Sequence, residues 1–272
     1  MENTVYVITG TNKGIGLGLV KALIARPSTT VVASVRSDQA AASLRSSVEK
    51  VAKGDGSELH VMLLDLTRAP EPARVLEAFH AACATSGTTV DRVDVVVSNA
   101  AAPFPGTPSL AIAGQDLRDA FEINTIAPLM VFQGLWPLMG GSRRRRRPGA
   151  AGDVHVVDVD VPAKFVGITS SVGSIESQEP FPGGAYGPSK AALNWLVKSL
   201  HNQHDELVSV AVHPGWVQTD MGNHAAREWK YDAGPPDTVE DSVKGVLGVI
   251  DGASRDTTSG KLVTQTGEIV PW

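Results

Sequence analysis

Tyr186-Gly187-Pro188-Ser189-Lys190 opens a stretch that continues AALNWLVKSL and reads as a helix. A tyrosine and a lysine four residues apart on a helix share one face, so phenol and ammonium can both reach one ligand. A free tyrosine, with a pKa of about 10, is a poor acid–base group at neutral pH, and a neighbouring ammonium stabilises its phenolate. Upstream, Ile168-Thr169-Ser170-Ser171-Val172-Gly173 ends a strand-like run. A hydroxyl at the carboxyl edge of a sheet can hydrogen-bond a substrate carbonyl, although serines at strand ends also make local turn bonds. The chemistry these types suit is proton transfer at a carbonyl or alcohol oxygen.

A second set stands at the start of the chain. Thr9-Gly10-Thr11-Asn12-Lys13-Gly14-Ile15-Gly16 follows a strand-like run and opens a helix. Glycines at 10, 14 and 16 let the backbone turn sharply and approach a pyrophosphate, which the helix N-terminus meets with N–H donors and partial positive charge. Twenty residues after Gly16 stands Arg36. An acid at that distance would bind a ribose 2′-hydroxyl, whereas an arginine accommodates a 2′-phosphate. Arg36 and Lys13 therefore predict NADPH/NADP+ as cofactor, and Asp38 reads as an N-cap of the next helix. The seven histidines and the lone Cys83 show no metal-ligand spacing, so no metal is expected.

These residues need a sheet to position them. Thr4–Thr9, Thr30–Val35, Leu59–Leu64, Val93–Val97, Phe165–Thr169, Val208–His213 and Leu262–Thr264 read as strands, mostly continuous apolar runs of the kind covered on both faces. Between them Ile15–Ala25, Ala40–Lys53, Pro72–Ala84, Leu117–Leu138, Ala185–His204 and Val239–Ile250 read as helices. The alternation predicts right-handed βαβ units in an α/β, single-domain Rossmann fold. It has a doubly wound, mostly parallel seven-stranded sheet with helices on both faces, spanning residues 1–272. One stretch breaks the rhythm: residues 140–162 carry five consecutive arginines and then alternate valine with acids and histidine. It is expected to be a solvated surface insertion with a short strand or hairpin at 154–161.

The combination resembles the short-chain dehydrogenase/reductase family over the full length, the insertion excepted. Thr9–Gly16 matches the family's glycine turn, and Asp65 with Leu66 matches its adenine contact. Ser98-Asn99-Ala100-Ala101 matches the N-N-A-G segment except at its first and last positions. Asn124 matches the helix asparagine that holds a water for the lysine, and Ser170, Tyr186 and Lys190 complete the family's tetrad. Pro214-Gly215-Trp216-Val217-Gln218-Thr219 matches the segment whose Val217 backbone and Thr219 would meet the nicotinamide amide and pyrophosphate. The resemblance thus implies Asn124, Ser170 (Ser171 as fallback), Tyr186 and Lys190 as catalytic. The implied cofactor contacts are Gly10, Thr11, Asn12, Lys13, Gly14, Ile15, Gly16, Arg36, Asp65, Leu66, Asn99, Ala100, Tyr186, Lys190, Pro214, Gly215, Val217 and Thr219. SSVGSIES, HPGWVQTDMG and the terminal GEIVPW are similar to the sniffer-like carbonyl reductases, particularly the fungal norsolorinic acid ketoreductase type. That implies a small-molecule carbonyl substrate, aromatic or polyketide-like, and a homo-oligomer, dimer or tetramer.

Composition bounds the remainder. Charged residues at 19% and hydrophobic residues at 42% exclude a disordered chain. A net charge of −5 gives no reason to expect nucleic acid. No apolar run approaches the roughly 18 residues that cross a bilayer, and MENTVYVITG lacks the marks of a secretory signal, so a cytoplasmic protein without a membrane partner is expected. The function expected is an NADPH-dependent ketoreductase. An NADP-linked alcohol dehydrogenase or a non-catalytic NADP(H) sensor are the alternatives. The segment 216–236 reads as a lid over the substrate, in which Trp216, Met221, Trp229 and Tyr231 either line an aromatic-friendly pocket or pack a helix onto the body.

Overall fold

The β-branched runs of the sequence form one sheet because both of its faces are covered. In the computed structural model, which describes residues 2–84, 90–139, 142–148 and 154–272, the chain runs β1 (Thr4–Ile8), α1 (Gly14–Ile24), β2 (Thr29–Val35), α2 (Asp38–Val48), β3 (Glu58–Leu63), α3 (Pro72–Cys83) and β4 (Val95–Ser98). Then come α4 (Gly114–Phe121), α5 (Ala127–Leu135), the paired β5 (Ser142–Pro148) and β6 (Val154–Asp160), β7 (Ala163–Ile168), α6 (Tyr186–Gln203) and β8 (Leu207–His213). The chain closes with α7 (Asp220–Glu228), α8 (Val239–Gly252), β9 (Leu262–Thr264) and β10 (Ile269–Val270). The sheet order is β10-β9-β8-β7-β4-β1-β2-β3, parallel throughout except that β10 returns antiparallel on β9. Two-residue β10 is an eighth strand beside the seven expected.

Alternate residues of each run divide between two apolar layers. Tyr6, Ile8, Val31 and Val97 join α1, α2 and α8 in one layer, whereas Val7, Val32, Val96 and Phe165 join α3, α5 and α6 in the other. β4 begins at Val95 rather than Val93, because Val93 bridges to Met139 instead. α2 begins earlier than its apolar pattern. Its N-cap is Ser37, whose hydroxyl accepts the Ala40 N–H, so Asp38 is the first helical residue and not the cap.

The stretch read as one helix over 117–138 is broken. Between α4 and α5 the backbone makes a π-turn over Glu122–Ile126, and Trp136–Leu138 finish in a 3₁₀ turn. Pro128 lacks the N–H that an α-helix would give to the Asn124 carbonyl, so the regular ladder cannot run through this point. The insertion has its hairpin, with β5 and β6 paired from Ser142↔Asp160 to Pro148↔Val154 in a two-stranded sheet of their own. Residues 140–141 and 149–153 of that insertion lie outside the described residues. The hairpin leaves the body between Met139 and Ala163, at the amino edge of β7. The switch in strand order lies at β1, between β4 and β2, and opens a crevice at the opposite, carboxyl edge.

Candidate active site

The glycine turn lies in that crevice. Gly10 and Gly14 have φ of 70° and 56°, in the left-handed region that favours glycine. A Cβ on Gly16 would run into the Gly10 carbonyl and the Asn99 amide. Lys13 caps α1 with backbone alone, making no side-chain bond to the first turn. Gly14, Ile15 and Gly16 line the floor of a groove of about 680 Å³ that extends past Asp65 and Leu66 at one side and Arg36 at another. A bare, uncapped helix start in a cradle with no room for a side chain fits a pyrophosphate. Arg36, exposed just beyond β2, offers a cation for a phosphate on the ribose.

Not every residue of the motif faces the groove. Thr11, expected among the cofactor contacts, is fully buried, and both its N–H and its hydroxyl donate to the Ser34 carbonyl at 3.1 and 2.9 Å. It ties the turn to β2. Asn99 lines the groove, but its amide donates to the carbonyls of Thr9 and Gly10 at 2.9 and 3.1 Å, bracing β4 against the turn. Buried Thr9 completes that brace by accepting the N–H groups of Asn99 and Ala100. Lys13 makes a 2.6 Å ion pair with Asp220, the first residue of α7, so glycine turn and lid meet across the groove. The ammonium holds the Asp220 carboxyl below its ordinary value.

The tetrad residues converge from three elements. Lys190, only 2% exposed, donates to the Ile168 carbonyl at 2.8 Å, and its Nζ stands 5.5 Å from the centre of the Tyr186 ring. Ser170 lies close enough to Tyr186 to draw its phenol's pKa down. Ser170 also accepts the Val172 N–H at 3.2 Å as the cap of a 3₁₀ turn, whereas Ser171 presents its backbone N–H to His213. Both serines line the cleft, and Ser170 is the one that acts on the Tyr186 phenol. Asn124 is fully buried and lines neither cavity: its amide bonds the Ser189 hydroxyl and the Ala102 carbonyl, and its Oδ1 accepts the Ala102 N–H. The helix break thereby grips the first turn of α6, where Ser189 also donates to the Tyr186 carbonyl at 2.7 Å.

Electrostatics differ from the simple pairing that the spacing suggested. Desolvation pushes the Tyr186 phenol well above its ordinary value, against a smaller downward pull from Ser170, and it pushes Lys190 down to about 7. Burial disfavours both charged forms and outweighs their mutual attraction. Tyr186 is held as the neutral phenol, a donor.

A second cavity, a cleft of about 280 Å³, meets the groove at Tyr186, Thr169, Pro214 and Thr219, which line both. Gly215 and Val217 line the cleft rather than the groove. Trp216, Met221 and Trp229 line it too, and Phe181, which the sequence did not single out, stacks on Trp229 at 5.0 Å between ring centres. Tyr231 packs behind, 5.0 Å from Trp216. Both earlier readings of these aromatics hold at once: Trp216 lines the cleft and donates from Nε1 to the Gly222 carbonyl inside α7. The C-terminal segment has a place as well. The carbonyls of Pro271 and Trp272 accept from Ser174 and Glu176, supporting the loop that follows Ser170.

A family model described as short chain dehydrogenase matches residues 4–150. The chain belongs to the short-chain dehydrogenases. As a member of that family it is an oxidoreductase, and its likeness to individual proteins extends beyond the matched segment. It is 34% identical to a short-chain dehydrogenase of Pyricularia oryzae, over all of this chain and 99% of the relative. It is 33% identical to the norsolorinic acid ketoreductase of Dothistroma septosporum, over all of this chain and 93% of the relative. Among solved structures, the NADPH-bound carbonyl reductase from chicken fatty liver superposes with a TM-score of 0.75 at 26% identity, with both chains covered in full. The short-chain dehydrogenase fold thus accounts for the crevice.

Proposed function

We propose that this short-chain dehydrogenase is an NADPH-dependent ketoreductase acting on aromatic, polyketide-type ketones. The observation that carries the reading is the placement of Tyr186 where groove and cleft open into one another, with Ser170 lining the same cleft. Bound NADPH supplies a hydride to the carbonyl carbon. Ser170 orients and polarises the carbonyl oxygen, and Tyr186 gives its phenolic proton to that oxygen as alkoxide charge develops. Lys190, with donors remaining beyond its bond to Ile168, holds the ribose and steadies the phenolate left after transfer. Asn124, whose carbonyl has no α-helical donor at Pro128, would anchor the water that reprotonates this relay. The glycine turn, Arg36, Asp65, Leu66, Asn99, Ala100, Pro214 and Thr219 form the cofactor groove, with Gly215 and Val217 at its junction with the cleft.

Reduction draws on Tyr186 as a proton donor, whereas alcohol oxidation needs a base at the same oxygen. The stacked Phe181 and Trp229, with Trp216 edge-on to Trp229 at 5.5 Å, favour a flat aromatic substrate. The relatives named for norsolorinic acid support the same class. Residues 1–272 act as one domain with 140–162 inserted. No helix among the described residues is long and apolar enough to cross a membrane. A cytoplasmic homo-oligomer is part of this reading. A panel of aryl and alkyl ketones, followed by NADPH oxidation, tests the assignment: aryl ketones are expected to turn over fastest. Turnover of none would refute it.

A further inference from the structure

His213 ends β8, and the register Ile168↔Val212 sets it beside Thr169, one residue before Ser170. Its Nδ1 accepts the Ser171 N–H at 3.1 Å. A ring nitrogen that accepts a hydrogen bond carries no proton, so the proton of the neutral imidazole is on Nε2. Burial keeps the ring neutral, outweighing the pull of Glu179 and Asp237. The ring lines the cleft between Ser171 and Trp216. Among the described residues no hydrogen-bond acceptor takes Nε2–H, yet Nε2 is not one of the sealed, unpartnered polar atoms of the interior. It opens on the cleft as a donor of fixed orientation.

We propose that His213 is a specificity-determining residue, donating from Nε2 to a second oxygen that the ketone carries next to its reacting carbonyl. The substrate class is thereby narrowed to oxygenated aromatic ketones, such as ortho-hydroxyaryl ketones. The same ring, through Nδ1, steadies the backbone that follows Ser170, so one side chain aligns both the substrate and the hydroxyl that polarises it. This inference rests on the ketoreductase reading, and its test is chosen to need no turnover.

Ortho-hydroxyacetophenone and acetophenone are titrated into the protein saturated with NADP+, and binding is read from quenching of tryptophan fluorescence, since Trp216 and Trp229 line the cleft. The wild type is expected to bind the hydroxylated ketone about threefold to tenfold more tightly, the worth of one hydrogen bond. In His213→Asn the amide oxygen can still accept the Ser171 N–H, but nothing reaches the Nε2 position. The preference should vanish while acetophenone affinity stays within about twofold. His213→Gln returns a distal donor and should recover part of the preference. No preference in the wild type, the same preference in His213→Asn, or equal weakening of both ketones would overturn the proposal. Should neither variant fold, the imidazole ¹⁵N spectrum of the wild type decides. An Nε2–H tautomer that shifts with the hydroxylated ketone supports the assignment, and an Nδ1–H tautomer refutes it. Selective binding without NADPH oxidation by any ketone would sink the ketoreductase reading while leaving His213 as the donor that recognises the second oxygen.

Discussion

Lys190 has lost most of its preference for charge because it is buried, and that gives cofactor binding a proton signature. With a pKa of about 7 it is largely neutral at pH 8. An anionic dinucleotide in the groove favours the ammonium and raises that pKa, so binding takes up a proton and weakens as pH rises further. Calorimetry at pH 8 in two buffers of different ionisation enthalpy should show uptake approaching about one proton, lost in Lys190→Met. Release, or no exchange, would contradict the account. Arg36 carries the cofactor preference. Arg36→Asp removes a partner of the 2′-phosphate and adds repulsion, so NADPH affinity should fall by about 1–3 kcal/mol while NADH affinity holds. Equal wild-type affinity for the two cofactors would remove the basis of the assignment. At this scale Tyr186 and Lys190 were legible because their spacing puts them on one helix face and the glycines because a tight turn needs them, whereas Ser170 was singled out only by the family resemblance. The inward turn of Thr11, the Lys13–Asp220 pair and the tautomer of His213 were not, since each depends on a partner far along the chain.

Elements bring those distant partners together. The periodic run over 117–138 looked like one helix, because a π-turn keeps the apolar face nearly in place while shifting the backbone. Pro128 was the visible hint. The segment holding α7 was read as a lid or as a helix packed on the body, and its start, capped by the Thr219 hydroxyl, was not placed. That segment's helix begins at Asp220, whose carboxylate pairs with Lys13 and would compete with a cofactor phosphate for it. Asp220→Asn should therefore tighten NADPH binding several-fold at low salt, an advantage that fades as ionic strength rises. The pair is exposed, 69% for Lys13 and 79% for Asp220, so melting temperature should hardly move. Weaker NADPH binding in this variant would show that the carboxylate orders the groove instead of competing within it.

Across the whole molecule, the doubly wound sheet was legible from its continuous apolar runs, which alternate between two buried layers. Two-residue β10 was too short to leave a pattern, although its tail supports the Ser170 loop. The sheet separates two edges. Groove and cleft lie at the carboxyl ends of the strands, whereas the arginine-bearing hairpin leaves the body between Met139 and Ala163 at the amino end of β7. Joining Met139 to Ala163 by a short turn should change stability by about 1 kcal/mol or less, since loop closure depends weakly on length. NADPH affinity should be unaltered, and a folded deletion variant that no longer bound NADPH would tie the hairpin to the site. The central claim is that Tyr186 donates the proton in ketone reduction, and substitution of that one oxygen tests it most directly. NADPH binding and NADPH oxidation are measured together for wild type and Tyr186→Phe on the best aryl ketone. The account predicts unchanged NADPH affinity with turnover down by at least about a hundredfold. Turnover within a few-fold of wild type would contradict it.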